Sequence, residues 1–125
     1  MKARPVDVSE TELAILDVLW ELEEATIRQI DERLYERPTT ATYATVQKLL
    51  ERLEAKGCVS RDRGGFAHVF RATVKRSTLI DQRLQAVADK LCGGSLTPLV
   101  THLVEGRRLS ARDRQALRKW IEEQR

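Results

Sequence analysis

Residues 39–50 carry hydroxyl, amide and amino side chains, and no carboxylate lies among them. The amide of Gln47 can pair bidentately with adenine, and the amino group of Lys48 can reach guanine O6 or N7. Threonine methyl groups can pack against the methyl group of thymine. Taken singly, each of these residues is an ordinary surface residue, but the whole run has the chemistry needed to read double-stranded DNA.

A helix is predicted to position this run, because apolar residues recur at i, i+3, i+4 and i+7. The residues on that face are Val46, Leu49, Leu50 and Leu53. Gly57 follows where a helix C-cap requires left-handed backbone. At 100° per residue, the opposite face and its flank carry Ala44, Thr45, Gln47, Lys48, Glu51, Arg52 and Ala55. Thr40, Thr42 and Tyr43 lie at the helix N-terminus, where hydroxyls and free amides favour phosphate.

Two shorter helices are predicted before it, each with a capping box at its N-terminus. Ser9 and Glu12 form the first box, and Thr26 and Gln29 form the second. Pro38 is expected to end the second helix, because proline disfavours helical backbone in the residue before it. The sequence thus predicts three consecutive helices in the N-terminal half.

After the third helix, the hydrophobic period changes from helical to alternating. Residues 59–61 and 66–71 predict two strands around the turn residues 62–65, which is a hairpin signal. Phe66 and Phe70 are interpreted as anchors of this hairpin to the core rather than as platforms for base stacking. Three helices followed by a hairpin is the element order of a winged helix-turn-helix, in which the hairpin is the wing.

The wing region is rich in cationic side chains. They are Arg61, Arg63, Arg71, Lys75 and Arg76. Wing arginines usually contact phosphate or enter the minor groove, although a solvated hairpin tip is the alternative for Arg63 alone. Residues 1–36 carry 4 basic and 10 acidic side chains, whereas residues 37–76 carry 9 basic and 3 acidic ones. This switch predicts a basic face that meets a polyanion.

Residues 74–125 are predicted to form three amphipathic helices, separate from a winged-helix domain in residues 1–73. The helices are expected at residues 77–91, at residues 95–105 and from Ser110 onward. So short a segment makes only a marginal core, and pairing of two chains is therefore favoured over folding within one chain. The residues assigned to dimerisation are Ile80, Leu84, Val87, Leu91, Leu96, Leu99, Val100, Leu103, Leu117, Trp120 and Ile121.

Composition argues against several other classes of protein. The chain has 125 residues, 42% of them hydrophobic, which suits one folded domain with an appended region. No apolar run approaches the ~18 residues of a membrane helix, and no secretory signal is visible. Cys58 and Cys92 lack the spacing of a zinc finger or a disulfide scaffold, which fits a reducing cytoplasm. No catalytic or metal-binding arrangement stands out, so we expect neither enzymatic activity nor a metal or cofactor.

Three separated segments carry a family resemblance. They are residues 12–20 (ELAILDVLW), residues 43–57 (YATVQKLLERLEAKG) and residues 91–100 (LCGGSLTPLV). These segments resemble the first helix, the recognition helix and the dimerisation part of the penicillinase-repressor family, over about residues 8–123. The resemblance implies a homodimeric winged-helix repressor that binds a palindromic operator and blocks transcription of antibiotic-resistance or metal-homeostasis genes.

The resemblance also implies that DNA is contacted by the third helix and the wing. Together with Thr42 at the helix N-terminus, the predicted DNA-binding residues are Tyr43, Ala44, Thr45, Gln47, Lys48, Arg52, Arg63 and Arg71.

The chain departs from the family at two places that concern the release of repression. In the penicillinase repressors, a sensor-activated protease cuts an Asn-Phe bond in helix five, and the matching positions here are His102 and Leu103. Because His-Leu stands where the family has Asn-Phe, cleavage at another bond and release without cleavage both stay open. A regulatory protease is one partner that the resemblance suggests, and ligand binding and oxidation are the other routes. The copper-responsive branch carries paired cysteines near the C-terminus, and this chain has none there. Copper sensing by that mechanism is therefore not expected.

The sequence thus predicts a mainly α-helical fold with a small β-hairpin wing and a C-terminal helical dimerisation region. The predicted function is that of a cytoplasmic, sequence-specific repressor that binds double-stranded DNA. The alternative is a winged-helix module for protein interaction, since a fold does not determine its function. The third helix favours the repressor, because an interaction module would expose apolar residues where this helix shows only alanines.

Overall fold

The computed structural model describes residues 7–106 and 109–124. The chain divides into two compact units, Met1–Gln82 and Arg83–Arg125. The first five residues, where the sequence shows no secretory signal, lie outside the described residues. In chain order the elements are α1 (Glu10–Leu22), α2 (Ile27–Leu34), α3 (Thr40–Ala55), β1 (Val59–Asp62), β2 (Val69–Ala72), α4 (Arg76–Leu91), α5 (Thr97–Glu105) and α6 (Ala111–Glu123).

Reciprocal side-chain caps set the starts of the first three helices. Capping boxes pair Ser9 with Glu12, Thr26 with Gln29 and Thr39 with Thr42, and the first two confirm the prediction. Helix α2 ends at Leu34, before Pro38 is reached, because Tyr35 already has extended backbone with φ −125° and ψ 133°. Gly57 has φ +76°, which confirms the left-handed residue predicted after α3.

Helices α1, α2 and α3 enclose one apolar core, which the hairpin closes. The predicted inner face of α3 is buried in it through Val46, Leu49, Leu50 and Leu53. Phe70 of β2 is fully buried in the same core. Its backbone exchanges two hydrogen bonds with Ala25, of 3.0 Å from Ala25 N to Phe70 O and 2.8 Å from Phe70 N to Ala25 O. The base of the wing is therefore fastened to the link between α1 and α2.

The hairpin confirms the predicted mainly helical fold with a small wing, but its second strand is shorter than expected. The antiparallel register pairs Val59 with Ala72 and Asp62 with Val69. Residues 63–68 therefore lie in the connecting loop rather than in a strand, and Phe66 is fully exposed at 115%. Our interpretation of Phe66 as a core anchor is wrong, whereas the same interpretation of Phe70 is confirmed.

A partly buried ion pair links α1 to the end of α3. Lys56 Nζ lies 2.7 Å from Glu12 Oε1, and Glu12 is buried. Burial alone would raise the pKa of Glu12, but hydrogen bonds from Lys56 and from the Ser9 amide and hydroxyl outweigh it. Together they lower that pKa below its usual value. Glu12 is thus held as a carboxylate at neutral pH.

The first turn of α4 is fastened to α1 by polar contacts. Trp20 Nε1 donates a hydrogen bond of 2.9 Å to the carbonyl of Val74. The guanidinium of Arg76 lies 4.9 Å from the Trp20 ring centre and donates to Asp17 Oδ1 at 3.1 Å. Arg76, which the sequence grouped with the wing cations, is therefore occupied at the junction of α1 and α4.

The second unit contains most of α4 together with α5 and α6. Gly93 and Gly94 both have positive φ and end α4 as predicted, and Pro98 lies in the first turn of α5. Ser110 opens α6 with a capping box to Asp113. Of the described residues in this unit, Ala88 alone is buried. Within the ranges that the structure describes, no helix is both long and apolar enough to cross a membrane.

Candidate nucleic-acid interface

Helix α3 presents its predicted outer face to solvent along its whole length. The predicted residues that are exposed there are Tyr43, Ala44, Thr45, Gln47, Lys48 and Arg52. The buried residues of α3 pack into the core and fix the orientation of the helix. The residues on its outer face therefore point consistently to solvent. The first carboxylate on the outer face is Glu51, so the N-terminal half of α3 offers donors and small groups without repelling phosphate.

Two threonines near the start of α3 have their hydroxyls engaged within the helix. Thr42 Oγ1 accepts from the Thr39 amide at 2.7 Å and donates to the Thr39 carbonyl at 3.0 Å. Thr45 Oγ1 donates to the Ala41 carbonyl at 3.0 Å. Thr42 is moreover only half-exposed. Both hydroxyls are therefore occupied within the helix, and the methyl groups are what these residues add to a contact surface.

An open cleft of about 910 Å³ lies between α2, the N-terminal half of α3 and the wing loop. Thr40, Tyr43 and Gln47 line it from α3, and Phe66 and His68 line it from the wing. The side chain predicted to read bases and the tip of the hairpin therefore share one continuous concave surface.

The three wing arginines differ in how free they are. Arg63 is exposed in the loop. Arg71 forms an ion pair with Glu24, in which its Nε donates at 2.9 Å. Arg61 is 15% exposed, donates to Glu54 Oε1 at 3.1 Å and lies 4.8 Å from the ring centre of Phe70. Arg61 thus stabilises the wing. Arg71 could bind a DNA phosphate only by giving up its ion pair with the carboxylate of Glu24.

The residues predicted to mediate dimerisation are mostly exposed in the isolated chain. Leu99 is half-buried. The exposed ones are Ile80, Leu84, Val87, Leu91, Leu96, Val100, Leu103, Leu117, Trp120 and Ile121. Ile80 belongs to the first compact unit and the others belong to the second. Large apolar side chains are therefore uncovered on all three C-terminal helices.

The two cysteines have different surroundings. Cys58 is fully buried beside Lys56, and burial raises the pKa of its thiol, which suits the predicted role as a small core residue. Cys92 is half-buried at the end of α4. Among residues 7–106 and 109–124, no group of three or more His, Cys, Asp or Glu side chains is placed to hold a metal ion.

Sequence reasoning missed one residue of this surface, the exposed aromatic Phe66. Its alternation with Phe70 suggested that both rings lie on one face of a strand. A strand forms only where a second strand pairs with it, and the pairing ends at Asp62 and Val69. The two glycines before Phe66 were the available signal, because Gly64 and Gly65 permit a longer loop than the predicted tight turn.

Three helices and a two-stranded hairpin packed on one core define a winged helix-turn-helix protein. The chain belongs to the penicillinase repressor family, whose model matches residues 8–123. It is 32% identical to the transcriptional regulator BlaI of Mycobacterium tuberculosis, over 97% of this chain and 87% of that protein. It is 24% identical to the penicillinase repressor of Bacillus licheniformis, over 98% of this chain and 94% of that protein. The chain is accordingly a transcriptional repressor and not an enzyme, as the sequence predicted.

Proposed function

We propose that this repressor acts as a homodimer that binds a palindromic DNA operator through α3 and the wing. The observation that carries the proposal is the exposed N-terminal half of α3, which is free of carboxylates and shares a cleft with the wing. A major groove admits a helix of this kind, and its floor offers the acceptors and donors that Gln47 and Lys48 can pair with.

In this proposal the contacts divide into base readout and phosphate binding. Gln47, Lys48 and the small residues Ala44 and Thr45 face the base edges. Tyr43 at the helix N-terminus offers its hydroxyl to a phosphate, and the arginines bind phosphate as well. Thr42 adds only its methyl group there, because its hydroxyl is engaged within the helix. The arginines to which we assign phosphate binding are Arg52, Arg63 and Arg71. Because Arg71 already pairs with Glu24, its contribution is the smallest of the three.

Pairing of two chains supplies the symmetry that a palindrome requires. The exposed apolar side chains of α4, α5 and α6 are the surface that we assign to the dimer, since two copies of one chain most often form a closed twofold pair. In such a dimer, the two α3 helices enter successive major grooves about one turn, ~10 bp, apart. Neither helix could reach both half-sites alone.

The proposal extends to the regulated genes and to the release of repression. Since one relative bears the name penicillinase repressor, we propose that this chain controls resistance or stress-response genes in the cytoplasm. A regulatory protease is the proposed partner for derepression. The bond between His102 and Leu103 lies inside α5, and both residues are exposed. Cleavage there would separate α6 from the remaining dimer surface.

The test is a selection of duplexes from a randomised pool, followed by fluorescence anisotropy on the winning sequence, called the selected duplex below. We expect at least about 10³-fold preference over a scrambled duplex. The logarithm of the affinity should fall with the logarithm of salt concentration, with a slope of roughly −0.9 per phosphate neutralised. Equal binding to both duplexes would remove sequence specificity from the proposal. No binding at low salt would leave the protein-interaction module as the function.

A further inference from the structure

The tip of the wing carries an aromatic ring that the fold does not use. Phe66 is fully exposed, whereas Phe70, four residues later, is buried in the core. Gly64 and Gly65 precede Phe66, so the ring has no bulky neighbour on that side of the loop. A ring in this position contributes nothing to the packing of its own chain, so it is available for a contact with another molecule.

The cleft beside α3 indicates which groove of the DNA the Phe66 ring would face in a complex. One wall carries Tyr43 and Gln47 of α3, and the opposite wall carries Phe66 and His68 of the wing. A helix in the major groove is separated from the adjacent minor groove by one sugar–phosphate backbone. If α3 occupies the major groove, that backbone lies in the cleft, and the far wall faces the minor groove.

Charge along the cleft agrees with this path. Among the described residues, the α3 and wing side chains that line it include no carboxylate. The carboxylates that line it, Asp31 and Glu32, both belong to α2, and Glu32 pairs with Arg28 at 3.3 Å. The α3 and wing sides of the cleft therefore do not repel a phosphate, whereas the α2 side carries two carboxylates. Arg63 stands in the wing loop as an exposed cation for the DNA backbone.

We propose that Phe66 enters the minor groove of the operator as an apolar wedge and bends the duplex there. This inference rests on the proposed function, since it assumes that α3 occupies the major groove. Apolar side chains inserted between base steps partly unstack them and kink DNA by about 20–90° toward the major groove. The base step at which the ring inserts lies outside the bases that α3 contacts. The repressor then recognises its operator partly by how easily that step deforms.

The experiment compares Phe66→Ala and Phe66→Leu with the wild-type chain on the selected duplex. The duplex carries a donor and an acceptor fluorophore at its ends, so that bending is measured by energy transfer and affinity by titration. The Leu variant keeps an apolar wedge and the Ala variant removes it. Arg63→Ala is the matched comparison in the same loop, because it removes a phosphate contact and no wedge. Thermal unfolding of each variant establishes that the fold is intact.

We expect Phe66→Ala to abolish the bend and to weaken binding by about 5- to 150-fold, the range for one lost aromatic contact with a base. Phe66→Leu should keep the bend, and Arg63→Ala should keep it while making the salt slope less steep by roughly 0.9. If Phe66→Ala binds and bends DNA like the wild type, the wedge is refuted, while the proposed function stands. If the wild-type chain binds no duplex, the proposed function and this inference both fail.

Discussion

The two compact units of this repressor treat apolar side chains in opposite ways. In the first unit, α1, α2, α3 and the two strands bury most of their apolar residues around Phe70, and the outer face of α3 is mainly polar. In the second unit, α4, α5 and α6 expose residues such as Leu91 and Trp120. The first unit completes a core from one chain. The second leaves large apolar side chains uncovered, and these form the surface that we propose for the dimer.

Removal of the central core residue should produce the largest effect and should show how self-sufficient the first unit is. We expect Phe70→Ala to lower the free energy of unfolding by about 3–5 kcal/mol, because the change leaves a cavity where the hairpin meets the core. Urea denaturation followed by circular dichroism measures it. Phe66→Ala is the matched control, since it deletes the same ring from an exposed site and should change stability by less than about 0.5 kcal/mol. Equal losses in both variants would contradict the closed core.

A substitution in the second unit should instead change the dissociation constant of the proposed dimer. Trp120 is 64% exposed in the single chain, and large aromatic residues dominate interface energetics. We expect Trp120→Ala to weaken the dimer by about 2 kcal/mol, close to a 30-fold rise in the dissociation constant. Sedimentation equilibrium provides the constant. Lys119→Ala changes an exposed neighbour and should leave it unaltered. An unchanged constant for the Trp120 variant would assign the dimer to another surface.

Acid should act on the first unit through its buried carboxylate. The pKa of Glu12 is lowered in the folded chain, so the unfolded chain binds more protons as the solution is acidified. The stabilisation by Glu12 is therefore complete above its ordinary pKa of about 4.3 and is lost as the pH falls through the lowered value. We expect Glu12→Gln to cost about 1–3 kcal/mol at pH 7, because Lys56 loses its charged acceptor, and to flatten the loss of stability below about pH 5.

Urea denaturation at a series of pH values measures this effect. Glu10→Gln, which neutralises an exposed carboxylate in the same helical turn, is the control and should keep the wild-type acid dependence. Identical acid dependence of the Glu12 variant and the wild type would show that other groups govern acid unfolding.

The outer face of α3 should affect DNA binding and leave stability alone. We expect Gln47→Ala to cost about 1–3 kcal/mol on the selected duplex and to relax base preference at one position, while the free energy of unfolding changes by less than about 0.5 kcal/mol. A repeated selection with the variant measures the preference. Gln115→Ala removes an exposed glutamine from α6 and should alter neither quantity. Unchanged base preference would mean that Gln47 reads no base.

Several features of the fold could be read from short stretches of sequence. The capping boxes at Ser9 and Thr26 join residues three apart, and Gly57 follows a helix whose apolar face is evident from spacing. The inner face of α3 and the exposure of Gln47 and Lys48 followed from the same periodicity. These predictions succeeded because caps and helical faces depend on neighbours within one or two turns.

Other features depend on strand register or on residues far apart in the chain, and hydrophobic spacing did not reveal them. The pairing of Asp62 with Val69 determined where β2 begins and so left Phe66 in a loop. Arg71 was predicted as a DNA contact without its Glu24 partner, because the two lie 47 residues apart in sequence. The hydrogen bond from Trp20 to Val74 spans 54 residues. None of these contacts is visible in the hydrophobic periodicity of the sequence.

The sequence by itself determined the order of helices and hairpin, the inner and outer faces of α3, and the family to which the repressor belongs. Local hydrogen bonding and hydrophobic spacing suffice for the elements and the faces, since they act over a few residues, whereas the family was inferred from the resemblance of three sequence segments. Only the tertiary structure decided which wing arginine is free, which phenylalanine is buried and how the wing and α3 share a cleft. Those outcomes depend on strand register and on contacts between distant segments, which exist only once the core of the first unit has formed.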